Sequence, residues 1–195
     1  DNLLKKIKDH VDINEIKKND KNIASGFHLK SNDKILIFVS SGRVFTLNPN
    51  ILPSGKSNPK SFIYFIDAGT NEKMIQALVV KQNINCILVS TNGKGFISEC
   101  SKLVSNQKKG KQVFNLKNKD SLFKVSICDK SYLAVTNKSG KLLIFEVNNL
   151  PFLSKGGGVQ LIKIKDKDSI SDIQMIDLED GLTWQTGSKI RNLND

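Results

Sequence analysis

An internal repeat constrains this chain more than any other feature. Three segments align on one another. The first runs from Ile35 to Val39, turns at Ser40-Ser41-Gly42, continues from Arg43 to Leu47 and reaches Leu52-Pro53-Ser54-Gly55-Lys56. The second runs from Cys86 to Val89, turns at Thr91-Asn92-Gly93, continues from Lys94 to Ser98, and reaches Leu103 and then Asn106 to Lys111. The third runs from Tyr132 to Val135, turns at Ser139-Gly140, continues from Lys141 to Val147 and reaches Leu150 through Gly156. In each copy the turn glycine precedes the leucine by 10 residues, and successive turn glycines are 51 and 47 residues apart. Gly181 opens a fourth copy, in which Thr183 to Ile190 again reads strand, turn, strand, and Leu3 to Ile13 reads as the tail of an earlier one. A repeat of roughly 45–50 residues holding about four strands is a propeller-like array.

The local chemistry agrees with strands. Apolar runs are short and rich in β-branched and aromatic residues, as at Phe62 to Ile66, Met74 to Val80 and Val159 to Ile164. Turn residues punctuate them about every 8–12 positions. A 3.6-residue apolar period is scarce; Leu3, Leu4, Ile7 and Val11 come closest, enough for a terminal turn of helix at most. The expected fold is therefore all-β, a propeller-like array of repeated four-stranded blades in one domain spanning 1–195. The blades fall at about 35–80, 86–127 and 132–176, with partial blades at 1–30 and 181–195. No run approaches the roughly 20 apolar residues of a membrane helix, no signal peptide is visible, and the missing initiator Met suggests a piece of a longer protein.

Charge points to the partner. Lys and Arg number 30 against 19 acids, a formal net charge of +11, which favours a polyanion. Genomic nucleotide bias would also enrich Lys, but it would not segregate the signs. There is no acid from Ile35 to Ile66, eight Lys against two acids from Lys94 to Lys124, and six acids with one Lys from Asp166 to Asp180. The basic residue after each turn glycine (Arg43, Lys94, Lys141, with Lys189 one place later) leaves every hairpin at the same point, so repetition places these charges on successive blades. Such a band can track a phosphate backbone; the alternative is solvated strand-edge lysines that discourage edge pairing. Each copy also ends in a Gly- and Lys-containing loop, Ser54 to Lys60, Asn106 to Lys111 and Ser154 to Gly158. There, backbone amides and the side chains of Lys56, Lys60, Lys108, Lys109, Lys111 and Lys155 can meet phosphate, unless the loops merely connect blades. Ser154 to Gly158 lacks the spacing and helix of a nucleotide-binding P-loop.

No catalytic or metal constellation emerges. His10 and His28 have no triad or ligand spacing around them, and Cys86, Cys100 and Cys128 are scattered as reduced, idle thiols. The acids of 166–180 read as a solvated segment rather than a paired-carboxylate site, and Trp184 as a blade-packing residue.

On these motifs the chain resembles the C-terminal β-pinwheel domains of bacterial topoisomerase IV and gyrase A subunits. Ser41-Gly42-Arg43-Val44-Phe45 followed by Ile51 to Lys56 resembles one blade, Lys102-Leu103-Val104 with Asn106 to Lys111 an intervening one, Asn149 to Gly158 a late one, and Gly181 to Trp184 the last segment. The gyrase tail carries a Gln-Arg-Arg-Gly-Gly-Lys-Gly type of box. Gln107-Lys108-Lys109-Gly110-Lys111-Gln112 lacks both Arg and the second Gly, so the resemblance favours topoisomerase IV and puts strong DNA wrapping in doubt. It implies a non-catalytic, double-stranded-DNA-binding part of an ATP-dependent type II topoisomerase that serves chromosome segregation. ATP and Mg²⁺ would belong to the N-terminal remainder of the topoisomerase IV A chain and to its B-subunit partner, none to this segment. The location would be cytoplasmic and nucleoid-associated. The family cleaves DNA with a Tyr that follows an Arg; Tyr64 and Tyr132, both in expected strands, have no such neighbour. A protein-interaction propeller is the alternative of a different class.

Overall fold

Ile35 to Val39 are apolar at every position, which a strand tolerates only when both its faces are covered. A computed structural model, which describes residues 2–7, 12–19, 25–117, 119–165, 168–186 and 189–192, shows how this happens. In chain order the elements are β1 (Leu3–Leu4), α1 (Ile13–Asn19), β2 (Ile35–Val39), β3 (Arg43–Leu47), β4 (Lys60–Ser61), β5 (Met74–Val79), β6 (Asn85–Ser90), β7 (Lys94–Glu99), α2 (Cys100–Leu103), β8 (Lys111–Gln112), β9 (Leu122–Ile127), β10 (Tyr132–Asn137), β11 (Leu142–Glu146), β12 (Val159–Gln160), β13 (Ile170–Ile176), β14 (Thr183–Thr186) and β15 (Lys189–Asn192).

The strands form antiparallel blades with one shared plan. The first has the order β5-β2-β3-β8, the second β9-β6-β7-β12 and the third β13-β10-β11, while β1-β4 and β14-β15 are two-stranded. The fold is all-β and propeller-like, as the repeat implies. In all three blades the register slips once, at Phe38/Val39, Val89/Ser90 and Thr136/Asn137, just ahead of the turn glycine.

The fourth strand of a blade comes from the next repeat. β8 lies in the second repeat but pairs with β3, and β12 lies in the third but pairs with β7. β4 pairs with β1 in the same register, Leu3 opposite Ser61, as Arg43 is opposite Gln112 and Lys94 opposite Gln160. Leu3 therefore stands where the basic residue of later copies stands. The ranges 35–80, 86–127 and 132–176 each hold three strands of one sheet and leave the exchanged strand to a neighbour.

Period-2 alternation on the inner strands divides the core. Leu36 and Phe38 face a cluster with Leu88, Phe96, Phe114, Leu122 and Val125 between the first two blades. Ile87 and Val89, on the opposite face of β6, meet Leu133, Val135, Leu161, Ile162 and Ile173 between the second and third. Each such side chain fully buried contributes about 1.5–3 kcal/mol. The exchanged segments supply Phe114, Leu161 and Ile162 to these clusters, so they lock one blade to the next.

Two local expectations change. Leu3–Leu4 is a strand rather than a turn of helix, and helix α1 begins later, at Ile13. Pairing with β4 and the Lys6–Pro53 hydrogen bond (2.8 Å) extend the backbone there. Phe62 to Ile66 does not form a strand; Phe62–Tyr64 is a 3₁₀ turn that buries Phe62 and leaves Tyr64 70% exposed. Tyr132 does lie in a strand, β10. His10 and the Trp184 side chain lie outside the described residues.

Candidate nucleic-acid interface

The repeated hairpin turn is the unit from which a site can be built. Gly42, Gly93 and Gly140 have φ of 78°, 75° and 86°, the left-handed region that glycine enters without strain. A carboxylate from the segment before the third strand closes each turn. Glu72 accepts from the Ser40 hydroxyl (2.8 Å) and the Ser41 amide (3.1 Å). Asp120 accepts from the Thr91 hydroxyl (2.7 Å) and the Asn92 amide (3.1 Å). Asp168 accepts from the Asn137 side-chain amide (2.7 Å) and the Ser139 hydroxyl (2.9 Å). Desolvation pushes the Asp168 carboxyl upward. Hydrogen bonds from the Ser169 amide, from the Ser139 hydroxyl and amide and from the Lys138 amide outweigh it, and the group ends below the ordinary carboxylate value.

These three acids are 48 residues apart, a periodicity the sequence carried without its role being evident. The window 166–180 is accordingly not just a solvated segment. Asp172 pairs with Lys124 at 2.7 Å, Asp180 with Lys130 at 2.5 Å, and Asp177 accepts from the Ser131 amide at 3.0 Å. Asp172, Asp177 and Asp180 thus have internal partners.

Strand exchange decides where the loops sit. The loop of one repeat lies not at the end of its own blade but beside the turn of the preceding blade. Asn106 to Lys111 meets Arg43, whose Nη1 donates to the Lys109 carbonyl at 2.9 Å. Ser154 to Gly158 leads into β12 beside Lys94; a Cβ on Gly158 would lie 2.8 Å from the Gly95 carbonyl oxygen, and one on Gly110 2.9 Å from that of Val44. The close approach that these two glycines permit is to the accepting strand. At Gly55 a Cβ would meet nothing within 4 Å.

The candidate basic residues fall into two groups. Arg43 is tied to the 107–110 turn, Lys111 Nζ donates to the Lys102 carbonyl at 2.8 Å, and Lys60 Nζ lies 4.0 Å above the Tyr64 ring. Lys94 is half-buried at the start of β7. Lys56, Lys108, Lys109, Lys141 and Lys155 are exposed, with no ion pair among the described residues. Lys108 and Lys109 thus share a corner with Arg43, and Lys155 lies in the loop that leads into β12, where Gln160 pairs with Lys94. Lys141 shares an open cleft of about 580 Å³ with Lys138, Lys163 and Lys165, which the repeat pattern did not single out. Lys189 opens β15, and its side chain lies outside the described residues.

Chemistry of other kinds has no support among the described residues. No cluster of three His, Cys, Asp or Glu could hold a metal ion. Cys86 and Cys100 are buried in one core cluster. A hydrogen bond with Cys100, and then burial, push the Cys86 thiol up, and burial pushes Cys128 up to about 12, so both stay protonated and unreactive. No described helix is long and apolar enough to cross a membrane.

The family model for the DNA gyrase C-terminal domain, a β-propeller, matches residues 85–129 and 131–177. The DNA topoisomerase 4 A-subunit of Rickettsia bellii is 34% identical over 159 residues, covering 82% of this chain and 21% of that protein. Its Caulobacter vibrioides counterpart is 33% identical over 80% of this chain and 20% of its own length. The chain thus spans about a fifth of the curated relatives it matches. Among solved structures, the E. coli ParC C-terminal domain superposes with a TM-score of 0.77 at 22% identity, covering 85% of this chain and 70% of that one. The DNA gyrase A C-terminal domain gives 0.60 at 18% identity, covering 80% and 52%. These two likenesses concern the fold.

Proposed function

This chain belongs to the C-terminal domain family of topoisomerase IV and gyrase A subunits, and we propose that it binds duplex DNA, without cleaving it, for the relaxation and decatenation that a type II topoisomerase performs. One observation carries the reading. Exposed lysines stand beside turns of successive blades, Lys108 and Lys109 in the loop before β8 and Lys141 directly after Gly140, while the carboxylates of these turns are already engaged in hydrogen bonds. Lysine charge therefore stands exposed at these turns, while the nearby carboxylates are occupied by hydrogen bonds. Phosphate contact through Lys108, Lys109, Lys141 and Lys155, with further charge from Lys56, would be tolerant of sequence and would steer the domain onto DNA at any site.

In the whole topoisomerase this domain would select the DNA segment on which the N-terminal part of the same chain and its B-subunit partner act, with ATP and Mg²⁺ used elsewhere than in these residues. A cytoplasmic, nucleoid-associated location goes with that role. The test is a fluorescence titration of linear, relaxed and supercoiled duplexes against salt concentration. Binding to all three that weakens steeply with salt is expected. Failure to bind any of them near physiological salt overturns the proposal.

A further inference from the structure

We infer that Tyr64, with the Lys60 ammonium over its ring, is a stacking contact for a nucleobase of bound duplex DNA at an opened base step. The inference rests on the DNA-binding reading above and adds to it a contact that is not set by charge alone. Tyr64 is 70% exposed, more than any other aromatic among the described residues. Its place in the repeat accounts for that exposure. Ser61, Gln112 and Gln160 hold the same register on their acceptor strands, and Tyr64, Asn115 and Lys163 each follow three residues later. Asn115 and Lys163 are exposed too. Asn115 stays exposed even where the next exchanged segment lies against it, its amide donating to the Gly156 carbonyl at 2.7 Å. The position itself therefore faces outward. Two copies place there an amide and an ammonium, which water satisfies, whereas a ring left in water forgoes the burial of its apolar area.

The ring is held in place before anything binds. Phe62–Tyr64 is a 3₁₀ turn closed by the Phe65 amide, which donates to the Phe62 carbonyl at 3.0 Å. Phe62 is buried, and Phe65 packs against the same core cluster. The Tyr64 and Phe65 rings meet edge to face, with centroids 5.3 Å apart and planes at 80°. Lys60 Nζ lies 4.0 Å from the Tyr64 ring centre. A ring fixed in this way loses little conformational freedom when a planar partner settles on it.

The surroundings select an anionic partner. No acid occurs from Ile35 to Ile66. Lys56 and Lys60 are exposed in the loop that enters the turn. Lys6 bridges to Ser54 of that loop, with Lys5 exposed next to it. Ammonium groups around an aromatic face suit a phosphate backbone that carries a base between its charges. A duplex offers such a base where a step opens, which costs least at a mismatch.

The test titrates the chain with two short duplexes, one intact and one carrying a mismatched pair, by fluorescence anisotropy against salt. Tyr64→Ala should bind the mismatched duplex about tenfold more weakly at every salt concentration, with the slope unchanged. Tyr64→Phe should keep the affinity of wild type. Lys60→Ala should reduce the slope by about 0.9. Bromouracil placed at the mismatch and irradiated in the wild-type complex should cross-link to Tyr64, as read by peptide mass spectrometry. A wild type that binds neither duplex overturns the DNA reading and this inference together. Steep, salt-dependent wild-type binding that Tyr64→Ala leaves unchanged overturns this inference alone, and would be the result if the ring instead met a protein surface. A cross-link confined to other blades, or a loss with Tyr64→Phe as large as with Tyr64→Ala, also overturns it. If urea unfolding shows that Tyr64→Ala disturbs the turn, the cross-link and the Tyr64→Phe titration decide.

Discussion

Gln112 and Ser41, 71 positions apart, are joined by a side-chain amide to carbonyl hydrogen bond of 2.9 Å, and the Gln160 amide repeats the bond on Asn92 one blade later. The side chain thus measures whether an exchanged strand is seated in register. Because the bond links two repeats, it couples the stability of one blade to the next.

Replacing Gln112 or Gln160 by Ala leaves two carbonyls without their donor, those of Ser41 and Phe114 or of Asn92 and Ile162. A neutral hydrogen bond contributes about 0.5–1.5 kcal/mol net. With two such bonds lost, each substitution should lower unfolding free energy by about 1–3 kcal/mol in a urea titration, and a loss below about 0.3 kcal/mol would show that these bonds have no role in seating the strand.

Asp168 should leave its mark on the acid limb of stability. Its folded carboxyl lies below the ordinary value, so the folded state holds the ionised form more tightly than the unfolded chain does. That contribution is fully present above the unfolded value of about 3.9 and is lost as pH falls through the lower folded one. The melting temperature of wild type should exceed that of Asp168→Asn by a constant margin above about pH 5, and the margin should close below about pH 4. A margin independent of pH would place the effect in packing instead.

Two glycine substitutions separate backbone strain from close approach. Ala at Gly55 incurs only the left-handed conformation, about 1 kcal/mol, since a Cβ meets nothing there. Ala at Gly42 adds an approach of 2.6 Å to the Phe114 carbonyl oxygen, which the exchanged segment must move to relieve. A loss of about 3 kcal/mol or more is expected for Gly42→Ala by denaturant unfolding, and equal losses at the two sites would show that the segment yields freely.

The hairpins were legible in the sequence because they are local. Ile35–Val39, Gly42 and Arg43–Leu47 lie within 13 residues, and their alternation and turn chemistry suffice. Strand exchange was not legible. β8 and β12 are two residues long, too short to show a period, and their partners lie more than 60 positions away. The same distance hid the partner of Arg43, a carbonyl 66 residues on. Asp168 was hidden differently, inside a run of acids where its spacing from Glu72 and Asp120 stands out only once the turns are superposed. Repetition located the basic residues after the turns, but which of them face solvent depends on the exchanged strand lying over them.

That distinction makes the lysines of one loop separable. Lys108 and Lys109 are exposed at the tip of the turn before β8, while Lys111 is half-buried with its ammonium on the Lys102 carbonyl. Each phosphate neutralised by the protein adds about 0.9 to the dependence of log affinity on log salt. Replacing Lys108 and Lys109 together by Ala should therefore reduce the slope by about 2, and Lys111→Ala alone should leave it nearly unchanged. Arg43→Ala should loosen the 107–110 turn, weakening binding with little change in slope, because it removes a group that positions the loop rather than one that meets phosphate. A Lys111→Ala slope change as large as that of the double variant would mean that DNA pulls this ammonium off its carbonyl, and the interface would then extend onto β8 itself.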